Sequence, residues 1–573
     1  MARYDIVIRR GTVVDGLGGA PFVADIAIKD GRIAAVGTVA DDGTEEIDAA
    51  GRIVTPGFVD IHTHYDGQVT WEHTLAPSSN HGVTTVVMGN CGVGFAPAKP
   101  DQHDLVLKLM EGVEDVPKVV MAEGVPWNWE TFPDYLDALS RRHADIDFAA
   151  QLPHSPLRVY VMGDRGVNLE PPTPEDLAEM RRLTAEGIEA GALGVTTSRS
   201  HTHRFRDGRL APSVPTEEQE LLALAAGLRD AGKGVFQLIP RLNESAAEEF
   251  RVIRRIAEVS GRPVSFTLLA DSSGDWRNYF AGLEQAKRDN LQIRGQILPR
   301  PAGVLYGLDL SIHPFCLNPS YRPVARLPLA EKVAAMRDPA LRAKIISEEP
   351  TDPHAFLCEL LKRMHPLFVL DDPPNYIPAA SDSIRARAAV LGVNERELLY
   401  DELLSKGGRS IIYAPTGNIE GDFYGIAAEM LGKQGTVLGL GDGGAHYGML
   451  CDAPYTTFLL CKYVRDKNEP RRVPLERAIS MLSRETAEAV GLNDRGVLKP
   501  GYKADVNIID LEALNMHLPH VVDDLPAGGR RLMQKVHGYD ATIVSGQVIY
   551  RRGEATGALP GRLVRGGQPR PCV

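Results

Sequence analysis

The decapeptide GFVDIHTHYD, residues 57–66, sets two histidines one residue apart at the end of an apolar run. In a strand, alternate side chains share a face, so His62 and His64 point the same way and Thr63 the other. Two imidazoles so placed form half of a metal site without distorting the backbone. A chance His-x-His in a loop is the competing reading, and the apolar strand and TPG turn just before it favour the metal. A second signal is HGVTTVVMGNCGVGFAP, residues 81–97, where TTVVM reads as a buried strand and Cys91 falls just past its end. Neighbouring strands lie ~5 Å apart, so a thiolate there could reach a metal seated on the first strand. A buried structural cysteine is the alternative. The third signal is TVLGLGDGGAH, residues 436–446, in which Asp442 follows an apolar strand between glycines. That carboxylate can ligate a metal or take a proton from an activated water. A phosphate loop is the rival, but no G-K-[ST] follows and no helix clearly opens. His446 stands near enough to assist, or is an ordinary loop histidine.

Other polar residues gather where the same mouth is expected. The run TTSRSHTHRFRDGR, residues 196–209, carries His201 and His203, which could supply a ligand or meet substrate. Arg199, with Arg204 and Arg206, could clamp a carboxylate in a two-bonded fork. An exposed polar loop explains the same residues. His154, in LPHSPLR, is open to a substrate or a structural role.

The elements that must position these groups alternate. Strand-like runs GFVDIHTH, TTVVMGN, DFAAQL, ALGVTT, GVFQLI, PVSFTLL, IRGQIL and TVLGLGD are separated by helical patterns such as ESAAEEFRVIRRIAEVSG, which ends at a capping glycine. Strand followed by helix, eight times over, predicts an α/β fold of the (β/α)₈ TIM-barrel type, whose chemistry sits at the C-terminal strand ends. Short β segments at 4–55 and again near the C-terminus predict a small composite β-sandwich domain built from both termini, with Asp30-Gly31 and Ser545-Gly546 as hairpin turns. The expected division is 1–56 plus 490–573 for that domain and 57–489 for the barrel. The stretch between residues 298 and 436 exceeds what a barrel of ~200 to 400 residues allots to one βα unit. It reads as a helical insertion at about 300–430 over the mouth, with helical pieces such as LAEKVAAMRDPALRAKIISEE.

The 573 residues include 43% hydrophobic and 24% charged side chains, an ordinary globular composition. A net charge of −12 argues against a nucleic-acid partner, because phosphate binding needs a basic face. No apolar run is long enough for a membrane span, and the first residues lack the apolar region of a signal peptide. The six cysteines form no CxxC pairs, so a reducing cytoplasm is the expected location.

VTPGFVDIHTH together with a late Asp after the eighth strand resembles the amidohydrolase superfamily. GVTTVVMGNCGVGFAP, LSRETAEAVGLNDRGVLKPGYKADVNIID at 482–510 and TGALPGR at 556–562 are similar to its D-aminoacylase (N-acyl-D-amino-acid deacylase) branch. The resemblance covers both ends and the first, second and eighth barrel strands, and is poor over 300–430. It implies a barrel with a β-sandwich, zinc-dependent attack of water on an amide carbonyl, and His62, His64, Cys91 and Asp442 as ligands, Asp442 also being the general base. The departure is in the fifth and sixth strands, where the family carries histidines and this chain reads VFQLIPRLNE and PVSFTLLADSS. One Zn²⁺ rather than two is therefore expected, with His201 or His203 as a candidate replacement ligand. The expected activity is deacylation of an N-acyl (D-)amino acid or a related amide, with a cyclic amide or imide or a small peptide as alternative substrates. A barrel that has lost catalysis and only binds a ligand is the reading from another class. Partners are expected to be a small-molecule amide and, for a chain of this size, further copies of itself.

Overall fold

Short buried strands alternate with amphipathic helices through the middle of the chain. The computed structural model describes residues 2–572 apart from 243, 272, 352–357, 359–360, 363–365 and 422–423. Strands Phe58–Asp60, Val83–Met88 and Asp147–Ala150 form one parallel ladder. Leu152–Pro153, Gly194–Ser198, Val235–Ile239, Val264–Thr267, Ile293–Ile297 and Thr436–Leu438 form a second, also parallel and in chain order. Gln151 alone separates the ladders on one side. On the other, the Asp442 N–H donates to the His62 carbonyl at 3.0 Å and the His64 N–H to the Gly443 carbonyl at 2.7 Å. Those two bonds tie the last strand's end to the first strand's end, and so bring Asp442 beside the histidines.

Helices cover the outer faces, which is why Val83–Met88 and Gly194–Ser198 are buried along their whole length. Pro174–Ala190 starts with a capping box of Thr173 and Asp176 and stops at left-handed Gly191. Ala246–Ser260 buries Phe250, Ile253, Ile256 and Ala257, the three- and four-residue spacing of one helical face.

Both ends of the chain meet in one nine-stranded sheet, with Val506–Ile509 antiparallel to Ile53–Pro56 at the seam. The Asp30-Gly31 and Ser545-Gly546 pairs take φ of 50° and 71°, and of 48° and 72°, the left-handed values that a tight hairpin turn needs. The tail then runs back along the strand at 147–150, where the Val564 N–H reaches the Phe148 carbonyl at 2.8 Å.

The region at 300–430 corrects the purely helical expectation. It holds helices Leu329–Met336, Pro339–Ser347, Ile384–Leu391 and Glu395–Leu404, but also an antiparallel sheet of Ala302–Tyr306, Phe368–Leu370 and Ile411–Gly417. These strands are short β-branched and aromatic runs, outweighed in the sequence by the longer helical patterns around them. The sheet and helices share their own core, including Phe315, Met336, Ile345, Tyr400 and Ile412. The Leu305 N–H bonds the Met449 carbonyl at 2.8 Å and the Ser311 N–H that of Gly448 at 3.1 Å, so the insertion rests on the loop that follows Asp442.

Candidate metal centre

His62 and His64 leave the first strand on one face, and their Nε2 atoms point at a common space. Cys91 Sγ lies 3.3 Å from His62 Nε2 and 3.6 Å from His64 Nε2. Asp442 Oδ1 lies 3.4 Å and 3.5 Å from the same two nitrogens. Nitrogen, oxygen and sulfur donors of a tetrahedral zinc ion stand about 3.3–3.6 Å apart, given bonds of ~2.0–2.3 Å. His62, His64 and Cys91 form a group in which all donor atoms lie within 4.8 Å of one another. A mixed imidazole, thiolate and carboxylate set suits zinc and not magnesium, so the residues fit the metal that the resemblance implies.

Local backbone is bent to achieve this. Cys91 and Asp442 adopt φ of 58° and 50°, unusual for residues with a Cβ. Asn90 steadies the first turn by donating to the Thr63 and Val87 carbonyls at 3.2 and 2.9 Å. The glycines beside Asp442 have no room for a side chain: a Cβ on Gly444 would stand 2.7 Å from the His64 carbonyl, and one on Gly441 would overlap the Asp60 carboxyl.

Two residues outside the donor set fix the imidazoles. Gln296, on Ile293–Ile297, accepts from His62 Nδ1 at 2.7 Å and donates to Ser265 Oγ at 2.9 Å. With its proton on Nδ1, His62 presents a bare Nε2. Glu114 sets a buried carboxylate beside His64 without a hydrogen bond, its Oε1 lying 3.5 Å from Nδ1, while Oε2 lies 3.5 Å from His446 Nε2. The sequence reading missed both. Glu114 ends helix His103–Glu114 and is buried four residues after Met110 on that helix's apolar face, which is the one cue available.

Burial and charge set the protonation states. Burial would raise the Asp442 carboxyl, but the hydrogen bond from His64 and the charges of His62, His64 and His446 outweigh it and hold it well below the usual carboxylate range. Burial pushes Glu114 up to about 7, with His64 opposing and Asp442 and Asp66 reinforcing. Burial likewise raises the Cys91 thiol to about 12, partly offset by His64. A bound cation reverses that last shift, because a coordinating thiol is deprotonated outright. Asp442 keeps 21% of its side chain exposed against 2% for His62 and none for His64, so it is the donor that meets solvent.

The remaining predicted residues divide. His446 and His203 border the centre: burial lowers them to about 4 and about 3, and both feel the charges of His62, His64 and Asp442. His201 is exposed, two residues away on the same loop. Arg199 does not stand open to substrate as a carboxylate clamp; its Nη1 is bonded to Glu249 at 2.6 and 2.7 Å in the interior. His154 spends both ring nitrogens internally, on Thr197 Oγ1 and Glu220 Oε1 at 2.8 Å each, and Glu220 also holds Arg158. The reading that fits His154 is therefore structural. Arg206 pairs with Glu111 at 3.0 Å on the surface. The fifth and sixth strands end without the histidines that the family resemblance leads one to expect; within them Gln237 is buried with its amide unpartnered and Ser265 receives Gln296.

A family model described as the amidohydrolase family matches residues 45–550. The chain belongs to the amidohydrolase family. An uncharacterized protein of Mycobacterium tuberculosis is 29% identical over 99% of this chain and 96% of its own length. The N-acyl-D-glutamate deacylase of Alcaligenes xylosoxydans xylosoxydans is 31% identical over 54% of this chain and 57% of its own. A solved D-aminoacylase, described as having a binuclear metal centre with one-metal activation and second-metal attenuation, superposes with a TM-score of 0.64 at 22% identity. It covers 98% of this chain and 100% of that one. Among amidohydrolases, this one lies in the D-aminoacylase branch. No helix among its described residues is long and apolar enough to cross a membrane.

Proposed function

We propose that this amidohydrolase hydrolyses an amide-type C–N bond using one zinc ion held by His62, His64, Cys91 and Asp442 at the C-terminal mouth of a (β/α)₈ barrel. Its substrates are N-acyl amino acids or closely related amides. Residues 57–489 are read as the catalytic barrel and 1–56 with 490–573 as the composite β domain. The observation that carries the proposal is the convergence of four donors from three strand ends, at 3.3–3.6 Å between neighbours. The single-metal reading rests on the lack of a histidine in VFQLIPRLNE and PVSFTLLADSS, the strand ends where the family resemblance leads one to expect the further ligands. The names of its relatives favour N-acyl-D-amino acids as the substrate class.

When bound, zinc supplies a Lewis acid for the amide oxygen and lowers the pKa of water from ~16 toward ~7. The protein's own groups do the rest. Gln296 holds His62 in the tautomer that leaves Nε2 bare, and Glu114 sets a carboxylate beside His64 Nδ1. Asp442, ionised and in reach of solvent, accepts a proton from the attacking water and returns it to the departing nitrogen. His203 and His446 line the approach with neutral rings, since burial keeps both unprotonated near pH 7. They are the candidates to hydrogen-bond the oxygen on which charge develops.

The test is a panel of N-acyl-D-amino acids, N-acyl-L-amino acids and cyclic imides, assayed with wild type and Asp442→Asn. Loss of a general base is expected to cost roughly 10²–10⁴-fold in kcat on any accepted amide. Undiminished turnover by the variant would rule the mechanism out, and activity confined to cyclic imides would overturn the substrate class.

A further inference from the structure

On the side away from the metal centre, the N-terminal ends of strands Ile293–Ile297 and Thr436–Leu438 open on a cleft of about 1200 Å³. Helix Asn278–Arg288 and the segment at 471–477 complete its walls. Seven lysines and arginines line it against two glutamates, in a chain whose net charge is −12. Glu485 is engaged by Arg477 and Ser480, so that pair cancels and the excess of positive charge stays at five.

Four of the cations meet only neutral groups. Lys287 Nζ donates to Gln434 Oε1 at 2.7 Å, Arg294 Nη1 to the Glu485 carbonyl at 3.3 Å, and Arg472 Nη2 to the Val464 carbonyl at 2.5 Å. Lys433 Nζ lies 5.6 Å from the Phe280 ring centroid. None of the four has a carboxylate partner among the described residues. Like charges gathered in a concavity raise one another's energy and focus the field on whatever anion enters. The cleft also has an apolar wall of Leu283, Leu291, Ile293 and Val473, which suits an organic body as well as charge.

We propose that this cleft binds a small organic polyanion, a phosphate ester of about nucleotide size. At about 1200 Å³ the cleft is somewhat larger than the ~300–1000 Å³ of small-molecule sites, so a ligand of that class enters with room for solvent. A duplex nucleic acid is disfavoured because the basic surface is one recess in an acidic chain, not a stripe. The site is separate from the metal donors yet linked to them. Arg294 lies two residues before Gln296 on one strand, and Gln296 holds His62. The binding itself does not rest on the hydrolase reading.

The experiment is calorimetric titration of the full zinc-treated chain with ATP, inorganic pyrophosphate, adenosine and an oligoglutamate peptide, at low salt and at about 0.2 M salt. ATP and pyrophosphate are expected to bind saturably and more weakly at high salt, and adenosine not at all. Arg294→Gln with Arg472→Gln should weaken ATP by about tenfold per lost charged contact. Lys433→Gln, which removes an exposed side chain outside any ion pair, should weaken it by about tenfold alone, and serves if the double variant fails to fold. Absence of saturable binding of ATP and pyrophosphate at millimolar concentration would overturn the proposal. So would equal affinity in folded variants, or binding of the peptide without the phosphates.

Discussion

Replacing Gln296 by leucine tests how the chain prepares its histidines. The substitution puts an apolar side chain of similar reach in its place and deletes the acceptor that His62 Nδ1 meets at 2.7 Å. His62 is 1% exposed, so the freed N–H finds no water and the ring no longer has a preferred tautomer. An unmet buried donor costs about 1–3 kcal/mol. Loss of such an orienting partner lowers metal affinity about 10–100-fold, or about 1.4–2.7 kcal/mol, and the two figures agree. Gln296→Glu retains an acceptor at the same place and should bind zinc at least as tightly as wild type. The assay is competition for zinc against a chromophoric chelator, with urea unfolding of each variant to check that it is folded. A folded leucine variant that holds zinc within about twofold of wild type would refute the argument that Gln296 sets the tautomer.

Two further outcomes are expected. Glu114→Ala removes the carboxylate 3.5 Å from His64 Nδ1 and should lower zinc affinity by about tenfold, the lower end of such effects, with Glu114→Gln losing less; chelator competition reads both. His81 is buried between Thr457 and the Gln534 carbonyl, and burial lowers its pKa to about 4. The unfolded chain takes up that proton near pH 6.5 and the folded chain resists it, so the stability His81 contributes is present above pH 6.5 and lost as pH falls toward 4. Its share at pH 4.5 is about 2–3 kcal/mol, and urea unfolding of His81→Asn should show a correspondingly flatter acid limb than wild type.

The donors were legible because their geometry is local. A two-residue period put His62 and His64 on one face, and apolar runs marked where the strands bearing Cys91 and Asp442 end. The strand order followed from the same alternation, and the hairpin turns from Asp-Gly and Ser-Gly pairs. What stayed hidden depends on tertiary packing. Gln296 sat in plain view within IRGQIL, but nothing in that run says that its amide meets a histidine from the first strand, 234 residues earlier in the chain. Glu114 arrives from the long excursion after the second strand, and only a buried register position betrays it. Arg199 and His154 are tied up by Glu249 and Glu220 from the first turns of the helices that follow the fifth and fourth strands, partners that no spacing reveals. His201 and His203 share a loop whose backbone alone decides that the second turns toward the metal centre. In the insertion, AGVLY, FVL and IIYAPTG are too short to outweigh the helical stretches between them.

The central claim, that two imidazoles, a thiolate and a carboxylate share a single divalent ion, is tested most directly by cobalt substitution. The protein stripped of metal and titrated with Co²⁺ should bind one equivalent per chain and develop a thiolate-to-cobalt charge-transfer band that vanishes in Cys91→Ser. Two equivalents bound with equal affinity, or a band that survives in that variant, would contradict the account.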